Sequence, residues 1–403
     1  MMSSLSAMTA LAAVATPENT TLADEYARQA ELLWAAVQVA SLFLPAFLLF
    51  TGLGAKLRSL CARWTGGGRY RTLTLFAAIY LLLAGLVVLP IRYWRLIVLE
   101  GQFGQPVDSL PQFLLGQFVP VGAQIVVAAL ALWVFFWLIR RMPRSWWLWS
   151  AMAVMPIAFA VLVALPVFVD PLTADYKPLA DKMLLAKIES FAARCGIGEI
   201  PVFVGGDDDT VVGLGPTNRV FLDEGIEKHE TPAQIEFTVA HELKHYVIGD
   251  NWKALAILSG FALVGLWLVD RYGRRWIARW HDRFGFADLH DPAALPLIAL
   301  ILGLFWLAIL PLFNWEARRI EFEADRFGLE LSQQNRAAAE LFASWAQKDL
   351  SQTRYDLFFR LFRQTHPSLA ERIEFANTYH PWRDGRPLVY SKVCRMEQIS
   401  SRR

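Results

Sequence analysis

The sequence predicts a mainly α-helical, multi-pass membrane protein that carries a small α+β domain. Of its 403 residues, 55% are hydrophobic and only 19% are charged, whereas soluble domains usually carry about 25% charged residues. The apolar residues are concentrated in six stretches that meet or approach the roughly 20 residues needed for one helical span of a bilayer. The other residues form two mixed polar segments, 170–252 and 314–403, with the patterns of a folded domain.

The chain is predicted to begin with a polar, mobile leader, residues 1–31. Its apolar run, Met8–Ala15, is too short to span a membrane and follows no basic region, so it is not a signal peptide. Four spans then lie within residues 32–169, and two more form a hairpin at 253–313. The six predicted spans are Leu32–Leu53, Leu73–Leu89, Phe118–Ile139, Trp146–Val169, Ala254–Val269 and Ala294–Phe313.

The two polar segments are predicted to form one domain that the hairpin interrupts. Apolar residues at helical spacing predict a helix over Tyr176–Cys195. Short apolar runs predict strands at Ile200–Val204 and Arg219–Leu222, on either side of a Gly- and Asp-rich loop, Gly205–Gly215.

Charge and cysteine content exclude some classes of protein. The formal net charge is only +2, so we expect no nucleic-acid partner. The three cysteines, Cys61, Cys195 and Cys394, are far apart and odd in number. We therefore expect inert thiols, with neither a disulfide framework nor a cysteine zinc site.

The motif His241-Glu242-Leu243-Lys244-His245 is an HExxH sequence. It carries chemistry only on a helix, where residues four apart share a face. Thr231, followed by a proline and a glutamine, predicts the start of such a helix with a capping box. Gly249 predicts its end.

On that helix, His241 and His245 can bind one zinc ion per chain through their imidazole nitrogens. Catalytic zinc usually takes three protein ligands and a water. Glu242 can accept a proton from that water, which then attacks a peptide carbonyl. The motif therefore indicates a metalloendopeptidase.

A third ligand is predicted from the segment Arg318–Asp325. Asn314 is a candidate N-cap for a helix that runs to Leu331, and on this helix Glu321 and Asp325 share a face. Glu321 can then bind the metal, while Asp325 can hold a ligand histidine by its free N–H. Taken alone, the segment is also typical of an acidic helix surface with ion pairs.

At these residues the chain resembles the type I CaaX prenyl endopeptidases and their bacterial heat-shock membrane protease relatives. That family combines HExxH with a later E-[FY]-x-A-D segment, matched by Glu321-Phe322-Glu323-Ala324-Asp325. Thr365-His366-Pro367-Ser368 and Arg372 resemble its C-terminal His-Pro segment. The resemblance implies that His366 and Arg372 lie near the metal and stabilise the oxyanion. It also implies that a strand, formed here by Val211, Val212 and Gly213, binds the substrate backbone.

The resemblance and the charge pattern disagree about the membrane side of the active site. The family has seven spans around an intramembrane chamber and implies a cytoplasmic site. Here we count six spans, and three basic connections fall on the side opposite the catalytic segments: Ala55–Arg71, Arg140–Arg144 and Arg271–Arg283. Because positive connections remain in the cytoplasm, this pattern predicts an external site. We expect a bacterial inner membrane and leave the side open at this point.

Two substrate classes and one rival function follow from the sequence. The enzyme would cleave a CaaX-like or other C-terminal tail, with or without a lipid, or it would remove misassembled membrane proteins. Its partners would be a protein or peptide substrate and membrane lipids. The rival is a non-catalytic membrane scaffold with a structural zinc, which would not require Glu242.

Overall fold

The structure is a computed structural model that describes residues 13–164, 176–198, 200–205, 209–212, 217, 219–223, 225–348 and 350–396. The chain divides into two compact units. We call Glu25–Ala160 and Ala254–Phe313 the membrane unit. Met1–Asp24, Val161–Lys253 and Asn314–Arg403 form the polar unit.

The membrane unit consists of long apolar helices, which confirms the predicted fold class. Among the residues that the structure describes, five helical segments are long and apolar enough to cross a membrane by length and composition. A further apolar helix, α5, corresponds to the fourth predicted span, whose last residues, 165–169, lie outside the described residues. The first five helices of the chain are α1 (Thr21–Phe50), α2 (Leu53–Trp64), α3 (Arg69–Tyr93, continued as helix to Gln102), α4 (Leu110–Arg141) and α5 (Trp146–Ala164).

The predicted mobile leader is wrong for its described part. Helix α1 begins at Thr21, eleven residues before the first predicted span. The side chain of Asn19 accepts a hydrogen bond from the backbone N–H of Thr353 at 2.8 Å. The carbonyl oxygen of Val14 likewise accepts one from the side chain of Asn377. These hydrogen bonds hold residues 14–19 against the rest of the polar unit. The composition of the segment does not indicate such long-range contacts.

Two further helices, like α1 and α5, contain residues of both units. Helix α9 (Asp250–Phe284) contains 35 residues and is kinked at Trp280, where the backbone is non-helical; helix α10 (Leu295–Ser332) contains 38. The prediction that a helix starts at Asn314 is therefore wrong, because α10 passes through that residue. Asn314 is 2% exposed, and its side chain donates to the carbonyl oxygen of Leu361 at 2.9 Å instead of capping a helix.

The polar unit is a small sheet packed against helices. Its other elements are α6 (Lys182–Arg194), β1 (Lys177–Pro178), β2 (Val202–Val204), β3 (Thr210–Val212), β4 (Arg219–Leu222), α7 (Ile226–His229), α8 (Pro232–Ile248), α11 (Asn335–Lys348), α12 (Leu357–Phe362) and α13 (Leu369–Thr378). The first predicted helix starts later than expected because Asp181 caps it.

The sheet has the order β1-β2-β4-β3. Strands β2 and β4 are parallel, and β3 pairs with β4 in antiparallel fashion, so β3 is an edge strand of the sheet that the described residues form. One buried apolar cluster joins the sheet to α6 and α8; it includes Ile188, Val220 and Leu243. This packing positions β3 beside α8.

The expectation of three inert thiols is wrong. Cys195 and Cys394 form a disulfide, with a sulfur–sulfur distance of 2.08 Å. It joins the end of α6 to the C-terminal segment, where the N–H of Arg395 also donates to the carbonyl oxygen of Arg194 at 2.8 Å. The 199 residues between the two cysteines hide this pairing in the sequence. Cys61 is free and buried.

Candidate active site

Helix α8 carries the HExxH motif, and its predicted helical course is confirmed. The side chain of Gln234 accepts from the N–H of Thr231, and the Thr231 hydroxyl accepts from the N–H of Gln234, which forms the capping box. Pro232 occupies the first turn. Gly249 ends the helix in the left-handed region, with φ of 72°, a conformation that favours glycine.

Three side chains converge where the sequence predicts the metal. One ligand atom each from His241, His245 and Glu321 lies within 4.8 Å of the other two. Nε2 of His241 is 3.1 Å from Oε2 of Glu321, and Nε2 of His245 is 3.7 Å from Oε1 of that carboxylate. Two histidines and one glutamate form a donor set of catalytic zinc sites. These residues therefore fit a divalent metal ion.

The Nδ1 atom of each of the two histidines contacts a buried carboxylate. Nδ1 of His241 is 3.0 Å from Oδ1 of Asp325, and Nδ1 of His245 is 3.0 Å from Oδ2 of Asp250. A carboxylate at Nδ1 keeps the proton on that nitrogen, which leaves the Nε2 lone pair for a metal. Both imidazoles are thus oriented toward Glu321.

The charge around His241 favours a cation. Burial lowers the pKa of His241, but the hydrogen bonds and charges of Asp325 and Glu321 outweigh burial and raise this pKa to about 10. The two carboxylates therefore stabilise positive charge at this position. A bound metal ion would benefit from the same negative environment.

Asp250 is a functional residue that sequence reasoning missed. Its Oδ2 also accepts a hydrogen bond from Nζ of Lys244 at 2.6 Å. Lys244 is 0% exposed, and its Nζ donates in addition to the carbonyl oxygen of Ile320 at 2.8 Å. The sequence signal that could have identified Asp250 is its position five residues after His245, immediately after the glycine that ends the helix.

Arg372 reaches the site through Asp325. Its Nε donates to Oδ2 of Asp325 at 2.8 Å, and its Nη2 donates to Oδ1 at 2.6 Å. The guanidinium lies 4.0 Å from the ring centre of Phe342, and the side chain is buried. The resemblance implied an oxyanion donor, but this bidentate pair directs the guanidinium at the carboxylate that holds His241. Arg372 is therefore placed to orient Asp325, and its role in stabilising the oxyanion stays a prediction.

His366 lies next to the third candidate ligand. Its Nε2 is 3.3 Å from Oε2 of Glu321, and its Nδ1 is 3.0 Å from the hydroxyl of Thr365. The side chain of His366 is 50% exposed. This loop histidine thus combines access to solvent with contact to the site.

Glu242 lies beside the two histidines without bonding closely to either. Its Oε1 is 3.9 Å from Nε2 of His241. Burial raises the pKa of the Glu242 carboxyl above its ordinary value. A carboxylate with a raised pKa is a better proton acceptor near neutral pH.

A cavity of about 1230 Å³ opens within the polar unit at these residues. Its lining includes Glu242, His366 and the strand residues Thr210 and Val211. Val211 and Val212 belong to edge strand β3, opposite Val220 and Arg219 of β4. The third predicted strand residue, Gly213, lies outside the described residues.

Gly328 allows α10 to approach α8 closely. A Cβ atom at this position would lie 3.0 Å from the ring of Phe237 and 3.2 Å from the backbone nitrogen of His241. Because a backbone atom is among these neighbours, a larger residue at this position would require the two helices to move apart by a few tenths of an ångström. The close approach places Glu321 and Asp325 of one helix against His241 of the other.

Comparison with known proteins identifies the same two regions. Residues 178–380 match the family model "Peptidase family M48", and residues 4–174 match "CAAX prenyl protease N-terminal, five membrane helices". An uncharacterised metalloprotease of Bacillus subtilis, YhfN, is 27% identical over 370 residues, which cover 89% of this chain and 86% of the relative. CAAX prenyl protease 1 of Saccharomyces cerevisiae is 24% identical over 317 residues, with coverage of 72% and 69%.

A solved structure shares the fold. The crystal structure of S. mikatae Ste24p superimposes with a TM-score of 0.75 at 18% sequence identity, covering 91% of this chain and 92% of that one. The fold, the family models and the apolar helices agree with one another. The chain belongs to peptidase family M48 and is a multi-pass membrane metalloprotease.

Proposed function

We propose that this chain is a zinc-dependent endopeptidase that hydrolyses peptide bonds of extended polypeptide close to the membrane. The observation that carries the proposal is the convergence of His241, His245 and Glu321, with Glu242 beside them. A site that only stabilised the fold would need no buried carboxylate next to its ligands. The scaffold alternative leaves Glu242 without a role.

In the proposed reaction, the protein residues bind, orient and transfer protons. A bound zinc ion supplies a Lewis acid that lowers the pKa of water and polarises the scissile carbonyl. The Glu242 carboxylate takes the proton of the attacking water and later delivers it to the leaving amine. The raised pKa of Glu242 suits both steps, because the proton must be held between them.

Edge strand β3 supports binding of an extended substrate. Its pairing with β4 uses one edge of the strand, and Thr210 and Val211 line the cavity that contains Glu242. A peptide can add to such an edge through backbone hydrogen bonds, with its side chains in alternating pockets. Strand addition of this kind binds the backbone of an internal segment of a polypeptide, as an endopeptidase requires.

The relatives supply two candidate substrate classes. The yeast relative and one from rice are named as a CAAX prenyl protease 1 and its homologue. By this likeness we propose processing of a C-terminal tail of CaaX type, or related cleavage of a membrane-proximal segment. Removal of misassembled membrane proteins uses the same chemistry and is the alternative outcome of the experiment below.

The experiment compares the purified, detergent-solubilised chain with its Glu242→Gln variant on a prenylated peptide and an unfolded protein. We expect both preparations to hold one zinc ion per chain, while the variant cleaves about 10² to 10⁴ times more slowly, the usual contribution of a proton-transferring side chain. Glu236→Gln, on the same helix and outside the cavity lining, is the matched control and should retain activity.

The outcomes separate the alternatives. Cleavage that is lost with a chelator and restored by zinc supports the metal dependence. Zinc-loaded wild type that cleaves neither substrate would overturn the proposal in favour of a scaffold. Equal cleavage of the prenylated peptide and the unfolded protein would exclude tail specificity and favour quality control.

A further inference from the structure

We propose that a side pocket of the catalytic cavity binds the free C-terminal carboxylate of the substrate. The enzyme would then favour polypeptide tails that end shortly after the cleaved bond. The pocket lies within the polar unit, has a volume of about 250 Å³ and is lined by Arg318, Arg354 and Arg360; we call it the arginine pocket. This role rests on the proposed function, because it assigns one end of the substrate to a site beside the proposed metal centre.

The arginine pocket shares a wall with the catalytic cavity. Tyr355 and Gln364 line both. Gln364 and Ser368, which also lines the arginine pocket, each lie two residues from His366. Nε2 of His366 is 3.3 Å from Oε2 of Glu321. Because two residues span at most about 7 Å, a substrate tail needs only a few residues to reach from the scissile bond into the arginine pocket.

Arg318 connects the pocket to the helix that carries the third candidate ligand. It precedes Glu321 by three residues on α10, and residues three apart are neighbours on a helix surface. Its Nη1 donates to the carbonyl oxygens of Arg360 and Gln364, the second at 2.6 Å. These bonds fix the side chain at the pocket wall. A guanidinium has five N–H donors, so the other nitrogens of Arg318 can donate to an anion.

The acidic residues of the lining do not balance its arginines. Oε1 of Glu371 is 3.0 Å from Nη2 of Arg360. Oε2 of Glu371 accepts from the backbone N–H and the hydroxyl of Ser368, at 2.9 Å each. Both oxygens of this carboxylate are therefore engaged, and the second acidic residue, Glu374, is exposed. Three arginines against two glutamates leave the lining with an excess of positive charge.

Arg354 has a fixed backbone and an exposed side chain. Its N–H donates to the side-chain oxygen of Asn19 at 3.2 Å, and its carbonyl oxygen accepts from the side-chain amide of Asn19 at 3.0 Å. Within the part of the chain that the structure describes, the hydrogen bonds of Arg354 involve its backbone alone. The guanidinium can therefore turn toward a ligand without breaking a contact of the folded chain.

A carboxylate suits this environment. Like charges that line one cavity repel one another, and an anion between them relieves the repulsion. Arginine binds carboxylates through two parallel N–H···O bonds, because its planar donors match the two oxygens. Every unmodified polypeptide ends in such a group, whatever its sequence. An anion that enters through the catalytic cavity is therefore best matched by the end of the substrate chain.

The pocket adds a specificity step to the proposed reaction. Edge strand β3 would bind the backbone of the substrate, and the arginine pocket binds the chain end beyond the cleaved bond. An internal loop of a misassembled protein has no carboxylate at that place. Processing of a tail is therefore favoured over the removal of misassembled membrane proteins.

The first test measures binding without cleavage, in the zinc-loaded, detergent-solubilised Glu242→Gln variant. A fluorescent prenylated peptide is prepared in two forms that differ only at the C-terminus, one with a carboxylate and one with an amide. Fluorescence anisotropy should show that the acid binds about 10- to 100-fold more tightly, the range expected for hydrogen bonds to a charged group. Adding Arg354→Gln should lower this ratio of affinities about 10-fold.

Two further variants make the binding test specific. Arg383→Gln, the matched control, removes an exposed arginine that lines neither cavity and should leave the ratio unchanged. Glu374→Gln removes the exposed acidic residue of the lining. It should raise the ratio about two- to fivefold, because an exposed carboxylate repels the peptide anion.

The second test measures cleavage by the wild type. The acid peptide should have the higher kcat/KM, with a lower KM than the amide and a similar kcat. Lengthening the acid peptide by about ten residues, which span up to roughly 33 Å, should remove this advantage. The carboxylate of the longer peptide is carried past the arginine pocket.

The outcomes separate the pocket from the proposed function. Equal affinity of Glu242→Gln for the two peptides, or binding of neither, would overturn the carboxylate site. Equal affinity together with binding of inorganic phosphate that Arg354→Gln abolishes would overturn it in favour of another anion. An active protease that cleaves acid and amide equally refutes the pocket alone. A chain that binds the acid preferentially and cleaves nothing refutes the proposed function alone.

Discussion

The substitution Asp250→Asn tests whether one buried carboxylate serves both the fold and the metal site. Asp250 binds Nζ of Lys244 at 2.6 Å and Nδ1 of His245 at 3.0 Å through the same oxygen. Asparagine keeps the shape of the side chain and removes its charge. The Lys244 ammonium, which is 0% exposed, would then lose its anionic partner and be left with neutral oxygens such as the carbonyl of Ile320.

The expected magnitudes follow from these contacts. Breaking a buried ion pair by removing one partner costs about 3 to 5 kcal/mol, because the remaining charge stays buried without compensation. Loss of the carboxylate behind a metal-binding histidine lowers metal affinity about 10- to 100-fold. We therefore expect Asp250→Asn to lower both the stability of the chain and its affinity for zinc.

The double variant Asp250→Asn/Lys244→Met separates the two effects. Methionine fills the buried position without a charge, so stability should return to near the wild-type level. The carboxylate at His245 is still missing, so zinc affinity should stay low. Thermal denaturation in detergent measures the first quantity, and competition with a chromophoric chelator measures the zinc dissociation constant.

Recovery of both stability and zinc affinity in the double variant would refute the reasoning, because Asp250 would then serve only Lys244. The control is Asp384→Asn, which removes an exposed ion pair with Arg386. Such pairs contribute about 0 to 1 kcal/mol. This variant should bind zinc as the wild type does and unfold at nearly the same temperature.

Three further predictions concern the packing around the site. Gly328→Ala should destabilise the chain by about 1 to 3 kcal/mol, because the added methyl group meets the backbone of α8. Thermal denaturation measures this loss, and unchanged stability would show that α8 and α10 can separate freely. Arg372→Ala removes the permanent cation beside the buried Asp325 carboxylate, which keeps its contact with His241, and should cost about 3 to 5 kcal/mol. The exposed pair removed by Arg336→Ala should cost under about 0.5 kcal/mol, and equal melting temperatures of the two variants would contradict this. Replacing Cys195 and Cys394 together by serine should cost about 2 to 4 kcal/mol, and reduction of the wild type should lower the melting temperature equally.

Features encoded over short distances could be predicted from the sequence. Helix α8 is specified within one segment by Thr231, Gln234 and Gly249, whose capping bonds are local. Glu321 could be proposed as the third ligand because it lies four residues before Asp325 on one helix. The helical spacing of the two histidines fixes their common face regardless of the rest of the fold.

Features that depend on the tertiary fold could not be predicted. Asp250 acquires its role only because α9 begins where His245 and Lys244 meet it. The pairing of Cys195 with Cys394 depends on packing between segments 199 residues apart.

Helix ends in the membrane unit were also misjudged, for a physical reason. An apolar stretch indicates which residues of a helix are suited to the hydrocarbon core. It does not indicate where the helical hydrogen bonding ends. Helix α9 extends on both sides of the predicted span Ala254–Val269, and α10 continues 19 residues past Phe313. Because of this continuation, the apolar segment that ends at Phe313 and Glu321 belong to the same helix.

The remaining chemical question is what His366 does at the site. It contacts Oε2 of Glu321 at 3.3 Å, yet its side chain is half exposed and lies in a loop. Asp325 and Asp250, which contact the two proposed metal-binding histidines, are in contrast buried. A residue that must meet a substrate oxygen needs this exposure, whereas one that only orients a ligand does not. We therefore expect His366→Gln to lower kcat about 10²- to 10³-fold, as loss of an oxyanion donor does, while KM and the zinc dissociation constant stay unchanged. If the variant instead binds zinc 10- to 100-fold more weakly and regains full kcat at saturating zinc, His366 orients Glu321 and the oxyanion must be stabilised by another group.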